Sequence, residues 1–197
     1  MLKRCIVCPS NDSAKLLRAW LPRHIVTSSK FYVSDSQSLA ASNAQALLGS
    51  CPAQLLLIRN AYTYHEETIL DLEGESEDAL SLYSSSRRFE VEVVAPALES
   101  MLFETPKIFE AVFREMATQR LHLIGFYEPD RAIREAGLTM REIVASADEV
   151  TRDLMRETSI AQRILARIAK LDAKPFTYVD GEDHAWHSRS PPFTAGQ

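Results

Sequence analysis

Short apolar runs alternate with amphipathic stretches through the first half of the chain, which predicts strand and helix in turn. Residues 2–8 form an apolar run ending at Pro9-Ser10-Asn11-Asp12, a cluster rich in helix-capping side chains. Leu16, Leu17, Trp20 and Leu21 then recur at helical spacing until Pro22 stops the helix. A second extended stretch is predicted over residues 25–28 and 31–33. Asp35 or Ser36 caps the next helix, which carries Leu39, Ala46, Leu47 and Leu48 and closes at Gly49. Gln54-Leu55-Leu56-Leu57-Ile58 is almost wholly apolar, the form taken by a strand with helices on both faces, and is predicted to be central. Thr63 and Glu66 stand at capping-box spacing ahead of a helix through Ile69 and Leu72, with Gly74 a candidate interruption and Ser84-Ser85-Ser86 its end. Phe89, Val91 and Val93 alternate with Glu90 and Glu92, so the fourth strand is expected at an edge of the sheet with one charged face.

From Pro96 the pattern turns helical. Pro96 is expected in the first turn of one helix, and Thr105-Pro106 opens another with Ile108, Phe109, Val112, Phe113 and Met116 on one face. Residues 121–127 fit either a strand or a buried helix. Pro129 begins a short helix ending at Gly137, Thr139 and Glu142 make a second capping box, and Ile160, Ile164, Leu165, Ile168 and Leu171 stripe the last helix. The expected fold class is α/β: a mostly parallel four-stranded sheet flanked by helices, followed by a helical C-terminal half. Three regions are expected: an α/β domain over 1–103, a helical extension packed on it over 104–179, and a polar mobile tail over 180–197.

Composition narrows the classes of function. The chain has 197 residues, 46% hydrophobic and 25% charged, which are ordinary globular values. Its formal net charge of -5 supplies no global positive field, so nucleic acid could be held only by a local basic patch. No run approaches the roughly 20 apolar residues that span a bilayer, and no membrane partner is expected. Met1-Leu2-Lys3-Arg4-Cys5 leads straight into the first strand rather than into a signal peptide, so a cytoplasmic location is expected. Three cysteines, Cys5, Cys8 and Cys51, argue against a disulfide framework. Although Cys5 and Cys8 have C-x-x-C spacing, Ile6 and Val7 between them read as buried strand, and packed core thiols are expected.

In an open parallel sheet ligands bind beyond the carboxyl ends of the strands. Those ends fall at Pro9 to Asp12, Ser34 to Ser36, Asn60 to Glu67 and Ala95 to Glu99. The β-α-β-α-β-α-β layout, followed by Ala95-Pro96-Ala97-Leu98-Glu99, resembles over residues 2–103 the Toprim fold of small stand-alone Toprim proteins and OLD-family nucleases. The resemblance implies a Glu after the first strand and an Asp-x-Asp pair after the third, which hold Mg²⁺ for phosphodiester cleavage. Here those places hold Ser10, and Asn60 with Tyr62, while Glu99 could match a later acidic position. An amide and a phenol do not replace two carboxylates on a hard cation. The resemblance therefore implies a degenerate site in a non-catalytic binding subunit of a larger bacterial assembly, of the phage-defence or DNA-processing kind. A protein partner or homo-oligomer is expected, and no cofactor.

Three other readings remain open. A divergent Mg²⁺-dependent nuclease would draw on Asp12, Glu66, Glu67 and Glu99, with His65 beside the middle pair. A helix-turn-helix regulator would use the segment from Gly137 to Ile143, with Arg141 and its neighbouring arginines on phosphates; Arg163, Arg167 and Lys170 form a separate basic face on the last helix. His184 and His187, within Asp180-Gly181-Glu182-Asp183-His184-Ala185-Trp186-His187, are the metal-ligand candidates.

Overall fold

A computed structural model describes residues 3–34, 36–84 and 88–174, without the side chains of Gln37 and Ser38. Four strands, β1 (Arg4–Cys8), β2 (Ser29–Val33), β3 (Gln54–Asn60) and β4 (Phe89–Val94), form one sheet in the order β2-β1-β3-β4, with every pairing parallel. The connection from β1 runs outward to β2 through α1 (Asn11–Trp20) and α2 (Arg23–Thr27). The next returns through α3 (Gln37–Ser50), passing β1 to reach β3, and α4 (Glu66–Ser81) continues to β4. Right-handed crossovers that run in opposite directions put α1 on one face and α3 and α4 on the other. The strand residues divide accordingly. Val7, Leu55, Leu57, Val91 and Val93 pack against Ala40, Ala44, Leu48 and Leu80. Ile6, Cys8, Leu56, Ile58 and Val94 face Leu16, Leu17 and Trp20 of α1.

The second half completes that latter face. A 3-10 helix (Leu98–Phe103) is followed by α5 (Pro106–Phe113), a short 3-10 turn (Arg114–Met116), α6 (Gln119–Tyr127), α7 (Pro129–Glu135), α8 (Met140–Ser146), α9 (Glu149–Arg156) and α10 (Ser159–Ala173). Phe103, Phe109, Phe113, Met140, Ile143, Ile160, Ile164 and Ile168 all join the same core as Ile6 and Leu56. One apolar core is thus shared by the sheet and the C-terminal helices.

Local signals explain most boundaries. The side chains of Ser10, Ser36, Thr105, Thr118, Thr139, Asp148 and Thr158 each accept a backbone N–H at the start of their helix, and Thr139 and Glu142 close a full capping box. Other expectations need correction. Residues 25–27 are helical, because the Pro22 carbonyl accepts the N–H groups of both Ile25 and Val26 and turns the chain before β2. Thr63 and Glu66 form no capping box: the Thr63 hydroxyl accepts the His65 N–H at 3.1 Å, and α4 starts only at Glu66. Gly74 does not interrupt α4, whose buried Ser76 and Leu80 anchor it beyond that exposed position. Residues 121–127 lie within helix α6. Pro96 is not in a first helical turn: the Ala95–Pro96 peptide is cis and precedes the 3-10 helix. The charged face of β4 does not meet solvent. Glu92 is buried under α10, where Arg163 reaches it at 2.7 Å and Arg167 at 3.2 Å, while Lys174 reaches Glu90 at 2.6 Å.

Candidate binding site

The chain leaves β1 in one direction and β3 in the other, so the switch point of the sheet, where ligands of such folds bind, lies between the carboxyl ends of these two strands. Ser10 stands at this switch point as the cap of α1. Its Oγ accepts the Ser13 N–H at 2.9 Å and lies 2.8 Å from Ser13 Oγ, which in turn donates to Glu99 Oε1 at 2.6 Å. Since the single Ser13 hydroxyl proton is committed to Glu99, Ser10 is the donor to Ser13. Asn60, at the end of β3, accepts the Leu98 N–H through Oδ1 at 3.0 Å and so ties the 3-10 helix carrying Glu99 to the sheet. Glu99 is 3% exposed. Burial holds its carboxyl above the usual range, the Ser13 hydrogen bond acts against that shift, and the charges of Asp130 and Asp12 add to it.

Following β3 at the same end of the sheet come Tyr62 and a ledge of aromatic side chains. Tyr62 adopts a left-handed backbone (φ 54°) and donates its N–H to the Pro96 carbonyl at 2.7 Å. Tyr64 stacks on Phe126 with centroids 5.3 Å apart, meets Tyr127 edge-on at 5.8 Å, and donates its hydroxyl to the Phe126 carbonyl. Burial, and then the neighbouring Tyr127, push the Tyr64 phenol up to about 12. Even so, Tyr62, Tyr64, Phe126 and Tyr127 remain 62%, 43%, 42% and 59% exposed.

The acidic candidates fare differently. Asp12 is in the first turn of α1, paired with Lys15 at 2.7 Å, and close enough to Glu99 to bias its proton. Glu66 and Glu67 are exposed in the first turn of α4, as is His65 at its cap. Among the described residues, no three His, Cys, Asp or Glu side chains converge to hold a metal ion. Of the basic candidates, Arg141 is exposed on α8, whose Met140 and Ile143 are buried in the core. Lys170 is exposed, whereas Arg163 and Arg167 are engaged with Glu92, and Arg167 also with Glu73 and Glu90. His184 and His187 lie outside the described residues.

Sequence reasoning missed Ser13, although its spacing of three from the capping Ser10 was a usable signal. It also missed the ledge, for which adjacent Phe126 and Tyr127 just before Pro129 were the only local hint. No helix among the described residues is long and apolar enough to cross a membrane. Compared with protein-family models, with curated proteins and with solved structures, the chain matches none.

Proposed function

We propose that this chain acts by binding, engaging a protein partner through the carboxyl edge of its sheet as a subunit of a cytoplasmic bacterial assembly of the phage-defence or DNA-processing kind. The carrying observation is the aromatic ledge. Three large aromatic side chains, Tyr64, Phe126 and Tyr127, stand exposed side by side, and tyrosine and phenylalanine offer wide contact area at little entropic cost. The Tyr64–Phe126 stack and the Tyr64 hydroxyl fix the ledge in place, so a partner meets a preformed surface. The neighbouring strand ends agree with this reading: Ser10, Asn60 and Tyr62 occupy places that the Toprim resemblance assigns to metal-binding carboxylates.

A divergent Mg²⁺-dependent nuclease is the second reading, favoured by Glu99, a buried carboxyl with Asp12 and Asp130 nearby. Affinity capture from the native host, with parallel cleavage assays on DNA and RNA with Mg²⁺ or Mn²⁺, separates the two. The expected outcome is a stoichiometric protein partner that the Tyr64→Ala/Phe126→Ala variant loses at least about tenfold, and that Val150→Ala, a change on an exposed face of α9, retains. Cleavage abolished by Glu99→Ala would replace binding with catalysis. Undiminished capture by the double variant would remove the ledge from the proposal.

A further inference from the structure

The three cysteines fall into two environments. A strand turns residues three apart to opposite faces, so Cys5 and Cys8 point away from each other despite their C-x-x-C spacing. Cys8 joins the α1 side of the core, where burial first, and then the Glu99 charge, push its thiol up to about 12 against the pull of Arg18. Cys5 faces the α3 side. There it meets Cys51, the residue that ends α3, in a small buried cluster with Ala53 flanked by Tyr32 and Leu47. Each thiol is the largest single influence on the proton affinity of the other.

The surroundings of this pair are cationic. The Arg88 guanidinium donates to the carbonyls of Cys51 at 3.0 Å, Leu48 at 3.1 Å and Ala53 at 3.3 Å, and the Lys30 ammonium lies 5.0 Å from the Tyr32 ring centroid. The neighbouring Cys5 thiol, the Ala53 backbone and these two cations lower the Cys51 thiol against the opposing effect of burial. The Cys51 thiol, together with burial, raises Cys5. Cys51 is 7% exposed, the more accessible of the pair against 1% for Cys5, and it stands in the loop before β3.

We propose that Cys5 and Cys51 form an oxidative modification site that closes to a disulfide in response to a peroxide. The Cys51 thiolate attacks one peroxide oxygen; the O–O bond breaks, a sulfenic acid forms, and the departing oxygen takes up a proton as water. The Cys5 sulfur then gives up its proton and attacks the Cys51 sulfur. The S–S bond forms as the S–OH bond breaks, and a second water leaves. Overall the two thiols lose two electrons and two protons, and hydrogen peroxide is reduced to two waters.

The test is hydrogen peroxide treatment of the full chain under native conditions, followed by alkylation and non-reducing peptide mapping. Titratable thiols should fall from the three of the sequence to one. A Cys5–Cys51 linked peptide should appear, dithiothreitol should reverse it, and the circular dichroism spectrum should stay native throughout. Cys8→Ala should leave the linkage intact, whereas Cys51→Ala should abolish it. Because variants at buried positions can misfold, the wild-type peptide map decides. Three thiols surviving treatment, a linkage through Cys8 or between two chains, unfolding on oxidation, or Cys51 passing to sulfinic acid with Cys5 still free would each overturn the proposal.

Discussion

Burial governs Glu99, and pH is the variable that exposes it. Its carboxyl binds a proton more tightly in the folded chain than in the unfolded one, so the fold accommodates the neutral form better. The contribution of Glu99 to stability is therefore complete below the ordinary carboxylate value of 4.5 and is lost as pH rises through the raised folded-state value. Glu99→Gln keeps an acceptor for the Ser13 hydroxyl and carries no charge at any pH. Its melting temperature, followed by circular dichroism, should gain on the wild type as pH increases from below 4.5 to mildly alkaline conditions. A constant difference across that range would mean that Glu99 is not held above its ordinary value. Ser10, Asn60 and Glu99 were all legible in the sequence as residues at strand ends. Their roles were not, because the bond from Ser13 to Glu99 joins positions 86 residues apart.

At the scale of elements, two helical glycines make opposite predictions. Gly125 in α6 packs against the ring of Phe103, itself among the rings of Phe109 and Phe113, and a Cβ there would fall 2.0 Å from Phe103 Cδ1. Gly125→Ala should cost about 1–3 kcal/mol through overpacking. Gly74 in α4 has nothing within 4 Å of such a Cβ. Gly74→Ala should stabilise the protein by about 0.5–1 kcal/mol through helix propensity and reduced freedom of the unfolded chain. Urea titrations of both variants check the pair, and equal signs would show that Phe103 yields to α6. Nothing in the local sequence separates these glycines, since each sits within helical periodicity and only the neighbouring element tells them apart. Caps were readable for the same reason in reverse: Ser36, Thr105 and Thr139 act on backbone groups three residues away. Where the decisive partner was a proline carbonyl, as at α2, or a hydroxyl committed to its own turn, as at Thr63, the residue pattern misled.

For the whole molecule the ion-pair ladder between β4 and α10 is the telling contact, because it fastens the last helix to the edge of the sheet. Arg167 bridges Glu92, Glu90 and Glu73, and the Glu92 side chain is only 4% exposed. Arg167→Ala should destabilise the chain by about 3 kcal/mol, since it deprives a buried carboxylate of one of its two arginines. A double-mutant cycle with Glu92→Ala should give a coupling of about 1 kcal/mol or more. Strict additivity would mean that α10 is held by its apolar stripe alone. Both charged faces were visible beforehand, the glutamates alternating along β4 and the arginines opposite the apolar stripe of α10, and each read by itself as a solvated surface. The sequence alone determined that strands alternate with helices and that a helical half follows, because period, caps and breakers act within a few residues. Only the tertiary structure decided the strand order, the meeting of Ser13 with Glu99, the pairing of Cys5 with Cys51 and the closure of the basic face of α10 on the acidic face of β4. Each of these joins groups dozens of positions apart, and a charge or a thiol carries no local mark of the partner that will desolvate it.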